Sequence, residues 1–208
     1  MTALRNILKP LPAAAASLVI LSAAGLSYAF MQDGSQTARS LARFTADNRL
    51  EFPSNYREWI YLSSGRGMTY GPAANPNGPP LFDNVFVEPS AYREFLKSGH
   101  WPDSAVFVLE VRDAVSEGSI NRGGQFQKDI EAIEVEVKDQ RFTDTDGWAY
   151  FQFDAAHKPA TPLAKTAGCY ACHSANGAVE HTFVQFYPTL IDFATAHHTM
   201  KPGNNASR

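Results

Sequence analysis

Residues 168–174 read GCYACHS, and the two thiols in this stretch are the only cysteines of the chain. Three chemistries use a C-x-x-C pair: a redox disulfide, half of a zinc site, or two thioether bonds to the vinyl groups of a haem. Zinc needs two further ligands, and the other histidines, His100, His157, His181, His197 and His198, show no paired metal-ligand spacing around the motif. A thioredoxin-like dithiol follows a strand and opens a helix within a βαβ unit, whereas the preceding HKPATPLAKTAG reads as a loop. Haem also accounts for the histidine. Two thiols on one helical turn reach adjacent vinyl groups, and the next residue projects its imidazole at the iron. The spacing therefore predicts one covalently bound haem c per chain, attached through Cys169 and Cys172, with His173 as the proximal iron ligand.

The opposite face of the iron decides what such a centre does. Electron-transfer cytochromes close it with Met or His. Here Met1 and Met31 sit in or beside the N-terminal segment, Met68 lies in a Gly-rich loop, and Met200 is in the tail. His181 is close in sequence to the motif and belongs on the same side of the ring, while His197 and His198 read as solvated tail. The expected sixth position is open or weakly blocked.

Export fits this chemistry. Arg5 and Lys9 precede an apolar stretch from Leu11 to Leu26, and Ser27-Tyr28-Ala29 offers the small residues of a cleavage site, so residues 1–29 read as a signal peptide and 30–208 as a single domain in the periplasm. An uncleaved anchor is the alternative, the apolar stretch falling a little short of the ~20 residues of a transmembrane helix. Removing residues 1–29 takes the formal net charge from -3 to -5. With no run of Lys or Arg, nucleic acid is excluded as a partner.

The elements that must hold the site are mostly strands. AVFVLEV at 105–111 is rich in β-branched and aromatic residues, as in a strand buried on both faces, and IEVEVK at 133–138 alternates as in a strand with one wet face. NVFV at 84–87, WAYFQF at 148–153 and EWIYLSS from Glu58 are further strands. Helices are predicted from Pro89 and Ser90 to Gly99, across the C-x-x-C-H motif, and from Thr189 to Ala196, with a Gly/Pro-rich loop over 65–80. The fold class is α+β, predominantly antiparallel sheet with a few short helices and the haem on a C-terminal helix. A four-helix cytochrome bundle is excluded, because the middle of the chain lacks long 3.6-period helices. Glu131, Glu134 and Glu136 read as a solvated strand face, Lys128 as a surface lysine, and Trp59, Trp101 and Trp148 as core.

From about Pro53 to Pro188 the chain resembles the cytochrome P-460 family, which includes the β-sheet cytochromes c' (cytochrome c'-beta). The matching stretches are NYREW at 55–59, VFVEPSAYREFLKSGHWPDSAVFVLE at 85–110, VKDQRF before GWAYFQF, and CYACHSAN followed by FVQFYPTL. The resemblance implies an antiparallel β fold, commonly a homodimer, with a five-coordinate haem c. Its hydroxylamine-oxidising enzymes carry a lysine, cross-linked to the haem rim, on the strand after the P-D turn. That place holds Leu109 here, and leucine cannot form the bond. The cytochrome c'-beta members lack the cross-link, line the distal face with apolar side chains and bind nitric oxide. Leu109 suits such a gas site, and Phe82 either completes the cap or is an ordinary core aromatic. In this register Leu109 faces the haem; a slip by one residue would present Val108 or Glu110 instead. The expected function is therefore binding of nitric oxide or another small gas, for scavenging, sensing or detoxification. The alternatives are a hydroxylamine-oxidising or peroxidase-like haem enzyme, or an electron-transfer cytochrome with a redox partner protein.

Overall fold

The β-branched run and the alternating run pair with each other at the middle of one sheet. The computed structural model describes residues 42–69 and 78–203; the N-terminal segment read as a signal peptide lies outside them. Five strands, β1 (Ile60–Arg66), β2 (Leu81–Val87), β3 (Val106–Val115), β4 (Phe126–Lys138) and β5 (Trp148–Phe153), follow one another in the order β1-β2-β3-β4-β5, and every neighbouring pair is antiparallel. The fold is the expected α+β class. β4 begins well before the alternating IEVEVK. Its first residues pair only with β3, because β5 joins from Ile133 onward, and with no buried face to serve they carry no apolar alternation.

Each face of the sheet covers its own core. Phe107, Val87, Trp148 and Tyr150 point to one side, where they pack with Phe95, Trp101, Val179, Val184, Leu190 and Ala194. Val106, Val108, Ile133, Val135, Val137, Phe151 and Phe153 point to the other, against Leu50, Tyr56 and Trp59. The three tryptophans are core residues as expected, none more than 7% exposed. Val106, Phe107 and Val108 are buried in succession, which is what a strand covered on both faces requires.

Among the described residues, three short α-helices cover the first face or lie beside it. In α1 (Pro89–Ser98) the proline stands at the N-terminus, the Glu88 carboxylate accepts from the Ser90 and Ala91 N–H groups at 2.8 and 2.9 Å, and Gly99 ends the helix at φ 71°. α2 (Cys169–Asn176) carries the C-x-x-C-H motif, and α3 (Ile191–Ala196) follows Pro188 as the sequence indicates. Among the described residues no helix is long and apolar enough to cross a membrane.

Candidate functional site

α2 begins at Cys169, immediately after Gly168, whose φ of 91° turns the chain from a short 3-10 turn into the helix. One helical turn then separates Cys169 from Cys172; both thiols are free and half-buried. Burial, reinforced by the charge of Glu134, pushes the Cys169 thiol up, which keeps it protonated instead of as the thiolate that metal binding or disulfide exchange uses.

His173 sits at the centre of the site. Its Nδ1–H donates to the backbone carbonyl of His181 at 2.8 Å, so the proton belongs to Nδ1 and Nε2 is left as the ligating nitrogen. The rings of Tyr150 and Phe183 each lie 4.6 Å from the imidazole and fix its plane. Glu136 Oε1 lies 3.3 Å from the same Nδ1, close enough for an ion pair but off the direction of the hydrogen bond. Burial alone would lower the His173 pKa. The charge of Glu136, the His181 carbonyl and the charge of Glu134 outweigh it and raise the value.

Gly177 is what allows this arrangement. It follows α2, and its N–H closes the helix on the His173 carbonyl at 2.9 Å. A Cβ there would lie 2.7 Å from the His173 carbonyl oxygen, 2.8 Å from the His181 carbonyl carbon and 2.9 Å from the Thr182 nitrogen. The return of residues 178–182 against the helix, and with it the acceptor for Nδ1, requires a residue with no side chain. Lys201 Nζ, donating to the Ser174 carbonyl at 2.9 Å, secures the same helix from the tail. His181 itself lies beside His173, its carbonyl against the Nδ1. Its ring is buried beside Trp148, and burial lowers its pKa.

The sheet presents two rows to this helix. Glu136 pairs with Tyr150, and both meet His173. The adjacent row on the same face runs Val85, Leu109, Glu134, since Leu109 is the cross-strand partner of both Val85 and Glu134, and Glu134 is two residues from Glu136. Leu109 thus shares the face of His173, and Val108 and Glu110 turn to the other core. Phe82 is placed differently from the expected cap. It pairs with Arg112, three positions along β2 from Val85, so the pleat sends it to the face opposite Leu109. Lys128 is exposed beside Asp129.

The acidic strand face is the main correction. Only Glu131 and Glu134 are exposed; Glu136 is 9% exposed, covered by the helix and Tyr150. Glu134 is accessible to solvent, yet enough protein surrounds it that desolvation raises its pKa. Asp83, two positions from Val85 on the same face, is raised by burial and by Glu134. The face around Leu109 therefore carries two carboxyl groups that the sequence reading did not assign to the site.

A haem fits this donor set: two free thiols one turn apart, and an adjacent imidazole whose Nδ1 is already committed. Cys169, Cys172 and His173 are the residues that would hold it. A search of curated proteins found no match to the chain. The Cytochrome P460 family matches residues 53–184, more than half of the chain, and the chain belongs to that family. Membership makes it a haem protein of the cytochrome class.

Proposed function

We propose that the chain is an exported cytochrome of the cytochrome c'-beta type, with one haem c on Cys169 and Cys172, His173 as fifth iron ligand, and nitric oxide or another small gas as the sixth. The observation that carries this reading is the 2.8 Å hydrogen bond from His173 Nδ1 to the His181 carbonyl, made on the sheet face that also bears Leu109. Bound haem iron would supply the coordination position; the protein residues set what reaches it. Leu109 has no amine to cross-link to the ring and no hydrogen bond to offer a ligand, and a neutral diatomic loses little on entering such a surface where water loses more. Scavenging, sensing or detoxification in the periplasm, by a homodimer, is the setting in which we place this site.

Titration of the reduced, haem-loaded protein with nitric oxide and carbon monoxide tests the reading. Absorption spectra are expected to show a five-coordinate ferrous iron that binds both gases. A ferrous protein that binds neither, or an iron already closed by a protein side chain, eliminates it.

One observation favours a second reading. Glu134 stands directly opposite Leu109, with its pKa raised by desolvation, where it can accept a proton from a polar ligand. That is the equipment of a haem enzyme acting on hydroxylamine or peroxide. Steady turnover of hydroxylamine with an artificial electron acceptor, lost in Glu134→Gln, would establish this reading over simple gas binding.

A further inference from the structure

We propose that Glu136 is a positioning residue for His173: its carboxylate is a second acceptor for the Nδ1–H, and it sets how strongly the imidazole donates to the iron. The inference rests on the reading of His173 as iron ligand and goes beyond it. Glu136 is brought to the site by β4, opposite Tyr150 and two residues from Glu134. It is 9% exposed, and its Oε1 is enclosed by protein with no hydrogen-bond partner. The His173 Nδ1 lies 3.3 Å from that oxygen.

A buried carboxylate oxygen left without a donor is costly, and such an orphan calls for a physical reason. The reason here is competition for one proton. The Nδ1–H currently points to the His181 carbonyl at 2.8 Å, and a modest rotation of the imidazole shares it with Glu136. The two acceptors are not equivalent. A backbone carbonyl is neutral, whereas a carboxylate draws the proton harder and leaves the ring more basic at Nε2. A stronger donor on the proximal side favours ferric over ferrous iron, and hydrogen bonding around an axial ligand is one of the means by which a protein tunes its haem. Gly177 holds the carbonyl and β4 holds the carboxylate, so the fold fixes both acceptors independently of the ligand side.

The test uses haem-loaded wild type and Glu136→Gln, read by resonance Raman of the ferrous iron–histidine stretch and by potentiometric titration. Glu136→Gln is expected to lower the stretching frequency and to shift the ferrous-to-ferric ratio at fixed potential at least about tenfold toward ferrous, a rise of about 59 mV for one electron. An unchanged frequency and potential in a folded, haem-bearing variant overturns the proposal and leaves the gas-binding reading intact. The wild type alone gives a second readout that needs no variant: a stretching frequency in the range of imidazoles bonded only to carbonyls also overturns it. Absence of covalent haem in the wild type removes both readings together.

Discussion

Glu134 and Leu109 face each other across β3 and β4, and on the proposed reading this pairing of an acid with a leucine sets which ligands the site admits. Leu109 excludes a covalent link to the ring, while the carboxyl beside it repels negative charge. A like charge ~8 Å away through an effective dielectric near 20 repels by about 2 kcal/mol. Ferric Glu134→Gln is therefore expected to bind cyanide roughly thirtyfold more tightly than wild type, with carbon monoxide affinity of the ferrous form unchanged because that ligand is neutral. Spectral titration of wild type and Glu134→Gln measures it. Equal cyanide affinities would mean that the Glu134 side chain does not reach the ligand side. That the cysteines and His173 share one helix was legible from spacing alone, because residues three and four apart meet on one turn. Glu134 and Glu136 were not, since alternation says only that two residues share a face and is silent on what covers it. A cue did exist: WAYFQF, paired with IEVEVK, puts Trp148 and Tyr150 on the face of these acids, and a face with buried aromatics is not a wet one.

At the scale of elements, the junction between α2 and the turn that returns to it is the part of the site with least tolerance. Gly177 adopts an extended conformation, φ -62° and ψ 130°, open to any residue, so its requirement comes from crowding and not from backbone strain. All three atoms that a Cβ would meet are backbone atoms, and none can swing away as a side-chain tip would. Gly177→Ala is expected to cost about 1–3 kcal/mol and to move the His181 carbonyl away from Nδ1. Thermal melts followed by circular dichroism report the first effect, and an altered iron–histidine stretch in the haem-loaded protein reports the second. Gly123→Ala is the control: a Cβ there meets nothing within 4 Å, and the melt should stay within about 0.5 kcal/mol of wild type. A Gly177→Ala protein with wild-type melting and an unchanged stretch would show that the junction adapts freely. The strands themselves were readable to within a few residues, since their cores alternate. The start of β4 was not, because a strand segment paired on one side only has no apolar pattern to display. The choice between cap and core aromatic for Phe82 stayed open for a related reason: proximity in sequence to a site strand does not give the face, and only the register with Arg112 does.

Among the described residues the sheet separates two cores, and this separation can be tested through a charge network on the face opposite the candidate site. On the second face Glu110, 3% exposed, accepts from Arg57 Nη2 at 2.7 Å and from the Tyr56 hydroxyl and Arg112 Nε, beneath the aromatic cluster of Tyr56, Phe52 and Phe86. Burial pushes the Glu110 carboxyl up, but the hydrogen bonds from Arg112 and Tyr56 and the charges of both arginines overcome it and hold the pKa below the ordinary glutamate value. A depressed folded-state pKa means that the folded protein holds this proton less tightly than the unfolded chain. The network therefore stabilises fully above the unfolded value of about 4.3, and its contribution fades as pH falls from there through the folded value. Glu110→Gln leaves the half-buried Arg112 without its counter-charge, and at pH 7 it is expected to be about 3 kcal/mol less stable than wild type. The gap should narrow below about pH 4.3. Urea unfolding of the haem-loaded proteins at pH 7 and at acidic pH measures both parts. Because Glu110 and Leu109 are neighbours on opposite faces of β3, nitric oxide association should be the same in the two proteins despite the loss of stability. A variant that loses gas binding in step with stability would mean that the two faces are coupled through the strand. A gap that widens in acid would reverse the sign of the linkage and remove Glu110 as its source.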